Sequence, residues 1–138
     1  AAERIGKGNV LIGDAFTASL SYSFTLLYLN PPYDWVKKVN PEGEEISTRL
    51  EYLFVKEFTP RLFPGGLLVL VIPHYSFLHL KGELAKYIAR QYEDVEVFRL
   101  PDEVEKREKF KQVILFGKRK LLRKTSPDPE VLKRLLEV

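Results

Sequence analysis

"LLYLNPPYDW", residues 26–35, decides the reading of the chain. Leu26, Leu27, Tyr28 and Leu29 form an apolar run that reads as a buried strand. It ends in Asn30, two prolines, Tyr33, Asp34 and Trp35, whereas an ordinary loop would draw on Gly, Asn, Asp or Ser without a ring. The Asn30 side-chain oxygen is an acceptor, and Pro31 adds a free carbonyl while offering no competing N–H. Two prolines fix their own φ and push the preceding residue toward extended geometry, so both acceptors are held still. Two acceptors converging on one NH₂ group leave its nitrogen lone pair better aimed. Tyr33 offers a flat face, worth about 1–3 kcal/mol when a base stacks on it. The element suits gripping a planar amine and presenting its nitrogen to an electrophile, a form of preorganised positioning. The plain alternative is a rigid turn with an aromatic staple.

Outward from this stretch the elements alternate. Asn9–Ile12 reads as a short strand, with Gly13-Asp14 as the turn after it and residues 15–24 as a loop or short helix. Residues 34–46, with Pro41, Gly43 and three glutamates, read as a polar, mobile loop placed to be a substrate lid. Ser47 reads as the cap of a helix whose apolar face is Leu50, Leu53, Phe54, Phe58 and Leu62, stopped by Pro64-Gly65-Gly66. Leu67–Ile72 lacks polar alternation, which predicts a strand covered on both faces and ended by Pro73. A helix over Leu80–Gln91 turns Leu84, Tyr87 and Ile88 inward. Strands follow over Val95–Leu100 and Gln112–Gly117, separated by the charged loop Pro101–Lys109. Asp128 and Pro129 suit the cap and first turn of a terminal helix to Glu137. The middle strands alternate with helices and imply parallel crossovers, while the last two pair antiparallel at a sheet edge. In open sheets of this class ligands sit at the carboxyl ends of strands, where Asp14, Asn30 and His74 fall.

The bulk properties exclude several classes. A chain of 138 residues with 45% hydrophobic and 30% charged residues reads as one soluble globular domain. No apolar run reaches bilayer length and no secretory signal opens the chain, which fits the cytoplasm. Cysteine is absent and only two histidines are present, so neither a disulfide framework nor a metal site is expected. A net charge of +3 tolerates a phosphate-bearing partner without demanding one.

The Asn30-Pro31-Pro32-Tyr33 element resembles the catalytic motif of S-adenosylmethionine-dependent amino-methyltransferases, including N6-adenine DNA, RNA-base and release-factor glutamine enzymes. The wider chain is similar to a bacterial methyltransferase-like family, DUF6094. The matching segments are Gly13-Asp14-Ala15, Leu29–Asp34, Arg49-Leu50-Glu51, Pro64–Val69, Ile72-Pro73, Tyr92-Glu93-Asp94 and Phe110–Gly117. The resemblance implies a Rossmann-like class I methyltransferase sheet, α/β, mostly parallel with an antiparallel edge. It implies S-adenosyl-L-methionine as cofactor. It implies that Asn30 and Pro31 accept hydrogen bonds from the target amine, that Pro32 shapes the loop and that Tyr33 stacks on its ring. Asp14 would contact the donor's adenine amino group, and Phe16 would line that pocket. Phe110 would be a second aromatic wall around a flipped base, or the first core residue of the last strand. For Asp14 a plain turn-former and for Phe16 plain core packing stay open.

The class also opens on a strand and a Gly-rich turn for the donor's methionine part, and an acidic residue for its ribose. Neither is visible, and Gly6-Lys7-Gly8 follows no apolar strand. Two strand–helix units, roughly 50–60 residues at about 30 per unit, are therefore expected to be lacking from the amino end. Either the chain is a fragment, inactive alone, or a degenerate member that no longer binds donor. A sheet cut this way exposes an edge and invites homodimerisation. Residues 1–120 read as the partial catalytic domain and 121–138 as a basic linker and helix. Lys118–Lys124, five positive charges in seven residues, is a candidate phosphate contact or a solvated run. His74 is placed to touch substrate or to lie solvated in its loop, and His79 reads as a surface residue where the second helix starts. The preferred substrate is adenine N6 in DNA, flipped from the stack. The rivals are an RNA base, a protein glutamine amide, or a donor-free nucleic-acid-binding module.

Overall fold

β1 (Phe24–Leu29) and β4 (Leu62–Pro73) lie side by side and parallel, with Leu26 to Leu29 opposite Leu67 to Leu70. The computed structural model describes residues 4, 6, 13–18, 23–101, 111–122 and 126–138. The expected strand Asn9–Ile12 and most of the charged loop before the last strand fall outside the described residues. β5 (Tyr92–Arg99) and β6 (Gln112–Arg119) complete a four-stranded sheet of order β1-β4-β6-β5. β6 runs antiparallel to both of its neighbours. Among the described residues the sheet is thus mixed, with one parallel pair, rather than mostly parallel. The last two strands pair antiparallel at one edge as expected, with β5 outermost and β6 between β4 and β5, where the long β4 offers seven residues of register, Leu67 to Pro73.

The connection from β1 to β4 is where the sequence pattern misleads. Residues 35–49 form a hairpin, β2 (Trp35–Val39) and β3 (Glu45–Arg49), not a mobile loop. Its turn is closed by Asn40, whose Oδ1 accepts from Glu44 N at 2.8 Å while Gly43 takes a φ of +84°. Ser47 lies inside β3 and caps nothing. The helix α1 (Leu50–Phe58) starts after Arg49, without a side-chain cap. A 3₁₀ turn, Thr59–Arg61, then feeds β4. Pro64-Gly65-Gly66 does not stop a helix; it forms a bulge within β4, where the register against β1 jumps between Phe24↔Leu62 and Leu26↔Leu67.

The core lies on one face of the sheet. Leu68, Leu70 and Ile72 of β4, Val113 and Leu115 of β6, and Leu27 and Leu29 of β1 meet Val55 of α1. α2 (His79–Gln91) adds Leu84, Tyr87 and Ile88, all buried as its periodicity predicts. Its first turn is irregular, since Leu80, Lys81 and Gly82 all take positive φ. α3 (Pro129–Glu137) seats Val131 and Leu135 in the same core, and Asp128 Oδ1 caps it by accepting from Glu130 N at 3.0 Å and Val131 N at 3.2 Å. The outward face is largely uncovered among the described residues. Leu26, Tyr28, Leu67 and Phe98 are exposed there, and Val69 and Val71 are half-buried, so β4 is not covered on both faces.

Candidate functional site

Three neighbouring strand ends converge at one border of the sheet. β1 stops at Leu29 and delivers Asn30; β4 runs on to Pro73 and delivers His74; β6 starts with Gln112 opposite Pro73. The His74 amide donates to Lys111 O at 2.9 Å, which fastens the last two ends together. Register thus brings together residues far apart in the chain.

A hydrogen-bond chain crosses this border. Gln112 Nε2 donates to the Tyr33 hydroxyl at 2.7 Å, and that hydroxyl donates to Asn30 Oδ1 at 3.0 Å. A phenol has one proton, so donation from Gln112 leaves that proton for Asn30. An amide oxygen has two lone pairs, so Asn30 keeps an acceptor position beyond the one that Tyr33 fills. Pro31 is buried and anchors the turn, while Asn30 and Pro32 stay exposed and Tyr33 packs partly against the core. Gln112 belongs to a segment that carried the family resemblance, yet no local signal marked it as a partner of Tyr33.

A second cluster braces the wall beside the motif. The Asp34 carbonyl accepts from Leu50 N at 2.9 Å, and Trp35 pairs with Arg49 at the base of the hairpin. Arg49 is buried and forms an ion pair with the fully buried Glu51; Arg49 Nε donates to Glu51 Oε2 at 3.1 Å and Ser76 Oγ donates to Oε1 at 2.9 Å. Such a pair holds its place only when its hydrogen bonds are satisfied, and Ser76 completes them. The guanidinium sits 5.2 Å from the Trp35 ring centre and 5.5 Å from that of Tyr75. His79 closes the group, edge-on to Trp35 at 5.2 Å and to Tyr75 at 5.5 Å. Burial, and then the Arg49 charge, lowers its pKa below the ordinary imidazole value. His79 is therefore half-buried in this group and not a surface residue. His74 is likewise no solvated loop residue: its Nδ1 is buried and has no hydrogen-bond partner among the described residues.

Asp14 and Phe16 belong elsewhere. Asp14 Oδ1 accepts from Phe16 N at 2.8 Å in a tight turn, and the Phe16 ring meets Phe54 of α1 edge-on at 4.6 Å. Phe110 lies outside the described residues. The structure thus brings Asn30, Tyr33 and Gln112 into contact and places His74 at the adjoining strand end; Asp14 and Phe16 form a separate ledge on α1.

The described cations of the basic run, Lys118, Arg119 and Lys120, are engaged with the protein itself. Lys118 pairs with Glu93 at 3.4 Å, Arg119 donates to the carbonyls of Pro60 and Leu62, and the buried Lys120 donates to Ala89 O at 2.8 Å.

The described residues thus build a mixed α/β sheet with an Asn-Pro-Pro-Tyr turn at the end of β1. This fold is similar to that of a candidate class I S-adenosylmethionine-dependent methyltransferase from Listeria monocytogenes, with 18% sequence identity and a TM-score of 0.60. The alignment covers 88% of this chain and 43% of that one, so the chain spans less than half the length of this neighbour. At that identity the likeness speaks for the fold alone. The chain belongs to DUF6094, an uncharacterised methyltransferase family, whose profile matches residues 2–137. No curated protein matches the chain.

Proposed function

We propose that the protein is the motif-bearing part of an S-adenosylmethionine-dependent N-methyltransferase that acts on an exocyclic amine, preferably adenine N6 in DNA. Family membership and the neighbour's fold support the reaction class. The observation that carries the site is the Gln112–Tyr33–Asn30 chain, which fixes the acceptor oxygen before any substrate arrives.

When bound, the donor supplies an electrophilic methyl group. The side chains described fit its adenine end: Asp14 and Phe16 form an exposed carboxylate beside an aromatic ledge. Asn30 Oδ1 and the Pro31 carbonyl accept the two protons of the substrate NH₂ and orient its lone pair. Tyr33, held by its hydroxyl, offers the edge or face of its ring to the planar group. A buried Pro31 keeps this acceptor pair from yielding under load.

One observation favours a second reading. The Tyr33 hydroxyl already occupies one acceptor position of Asn30. If that bond kept the substrate amine from the remaining acceptor position, the site would belong to a donor-free nucleic-acid-binding module. An RNA base or a protein glutamine amide satisfies the same acceptors as adenine and remains a rival substrate.

The deciding experiment measures tritium transfer from S-adenosylmethionine to DNA, tRNA and protein by the full-length protein. Label is expected in DNA adenine, and Asn30→Ala is expected to cut transfer by about 100-fold or more, the scale of a lost positioning group, with unchanged thermal unfolding. Normal turnover in that variant rules out the role given to Asn30. DNA binding by the full-length protein with neither donor binding nor transfer to any acceptor would favour the module.

A further inference from the structure

A cavity of about 400 Å³ opens at the opposite end of the strands from the Asn-Pro-Pro-Tyr turn. β4 enters the sheet there at Leu62 and reaches the motif border at Pro73, on the order of 30 Å away at about 3.3 Å per strand residue. Its walls come from four elements. Lys56 lies on α1, Thr59 on the 3₁₀ turn, Tyr87 and Gln91 on α2, and Arg119 and Lys120 at the end of β6. The size falls within the range of small-molecule pockets.

Two features of the wall point to a ligand. First, Gln91 is 7% exposed, and among the described residues its carboxamide has no hydrogen-bond partner. Its polar atoms are not sealed within the protein either, so they open onto the cavity. An amide that opens onto a cavity is placed to exchange hydrogen bonds with a ligand there.

Second, the wall carries three cations and no carboxylate. The nearest acids along the chain lie outside it: Glu57 follows Lys56, and Glu93 and Asp94 face Lys118 at 3.4 and 3.9 Å. The cations are also pre-set. Arg119 is anchored on the carbonyls of Pro60 and Leu62, neutral groups that fix its charge without cancelling it, and Lys120 donates to the carbonyl of Ala89. Lys56 sits 5.8 Å over the Tyr52 ring. An amide donor among three positioned cations matches the acceptor oxygens of a phosphate group, for which arginine and lysine are the usual partners.

We propose that this cavity is a second ligand site, separate from the Asn30 border, that takes a phosphate-bearing small molecule. The cavity exceeds a bare phosphate ion, and Pro60 and Leu121 give it an apolar rim for the ligand's organic part.

The test is a titration of the ¹⁵N-labelled protein at constant ionic strength with inorganic phosphate, phenyl phosphate and single-stranded DNA. Saturable shifts are expected for the Gln91 side-chain amide and the Lys120 and Leu121 backbone amides, with the Asn30 carboxamide unmoved and phenyl phosphate binding more tightly than inorganic phosphate. Lys56→Met and Gln91→Met are each expected to weaken phenyl phosphate about tenfold. Lys56 is exposed and makes no ion pair among the described residues, so its variant keeps the fold even if a Gln91 variant does not. Shifts that never saturate, or equal affinity in Lys56→Met, overturn the proposal. DNA moving the same amides at lower concentration than phenyl phosphate also overturns it, in favour of a nucleic-acid backbone contact. The outcome does not depend on methyl transfer.

Discussion

Gln112 shows what a single residue contributes across the fold. It lies 79 positions from Tyr33, and only the antiparallel insertion of β6 beside β4 brings its amide to the phenol at 2.7 Å. The Asn-Pro-Pro-Tyr turn is legible in sequence because its chemistry is local: the acceptor, the stiff backbone and the ring are consecutive. Gln112 is illegible because its role is created by strand register, and nothing in its own neighbourhood announces it. If it positions Tyr33 and hence Asn30, Gln112→Leu should lower the turnover number about tenfold, a modest fraction of the roughly 100-fold that a 1 Å misplacement can cost. Donor affinity by calorimetry and the unfolding midpoint should stay near wild type, since Tyr33 keeps its bond to Asn30. A change in donor affinity with unaltered turnover would show that Gln112 serves some other part of the molecule.

At the scale of elements, glycine and proline decide which sequence readings hold. Pro129 after Asp128 marks a helix start in sequence and in structure, because a cap uses only neighbouring groups. Pro64-Gly65-Gly66 carries the same kind of punctuation and means the opposite of a stop. A bulge and a helix terminus both need a residue that tolerates unusual φ, and the distant pairing of Phe24 with Leu62 selects the bulge. The hairpin over residues 35–49 was hidden for a related reason: most of its residues face solvent, so it lacks the alternation that marks a half-buried strand. Of the two glycines at the bulge, Gly66 is the more constrained by packing. A Cβ there would lie 2.6 Å from Leu62 Cδ1 and 2.8 Å from the Phe63 carbonyl oxygen, and the backbone atom cannot step aside cheaply. At Gly65 nothing lies within 4 Å, but φ is +81°. Gly66→Ala should therefore cost roughly 1–3 kcal/mol by overpacking, and Gly65→Ala about 1–2 kcal/mol by backbone strain. Urea denaturation of the two variants checks this, and an unaffected Gly66→Ala would mean that the bulge relaxes freely.

For the whole molecule, Tyr92 is the residue in which the layers meet. It is fully buried at the junction of α2 and β5. Its ring lies where a Cβ on Gly117 of β6 would come within 3.4 Å, and its hydroxyl shares a 2.7 Å hydrogen bond with Thr59, which itself donates to Val55 O of α1 at 2.6 Å. Burial pushes the Tyr92 phenol well above the ordinary tyrosine value, against the lowering effect of its bond with Thr59; burial, then the Glu83 charge, raises Tyr52 as well. Below about pH 10 both the folded and unfolded chains keep these protons, so neither group makes stability depend on pH. Above that point the unfolded chain releases its protons while the fold retains them. Stability therefore falls as pH rises, by up to about 1.4 kcal/mol per pH unit for each such group, until the folded pKa is reached. Tyr92→Phe removes the phenol but keeps the ring against Gly117. It should lose about 1 kcal/mol at neutral pH with its hydrogen bond, and its alkaline slope should be shallower by one proton, Tyr52 supplying part of the remainder. Urea unfolding of wild type and variant from pH 7 to 11 reads both quantities, and the difference between the two curves cancels the lysines that titrate in the same range. Parallel curves would mean that Tyr92 ionises in the fold as readily as in the open chain, and that the junction of α1, α2 and β6 admits water where the structure shows it closed.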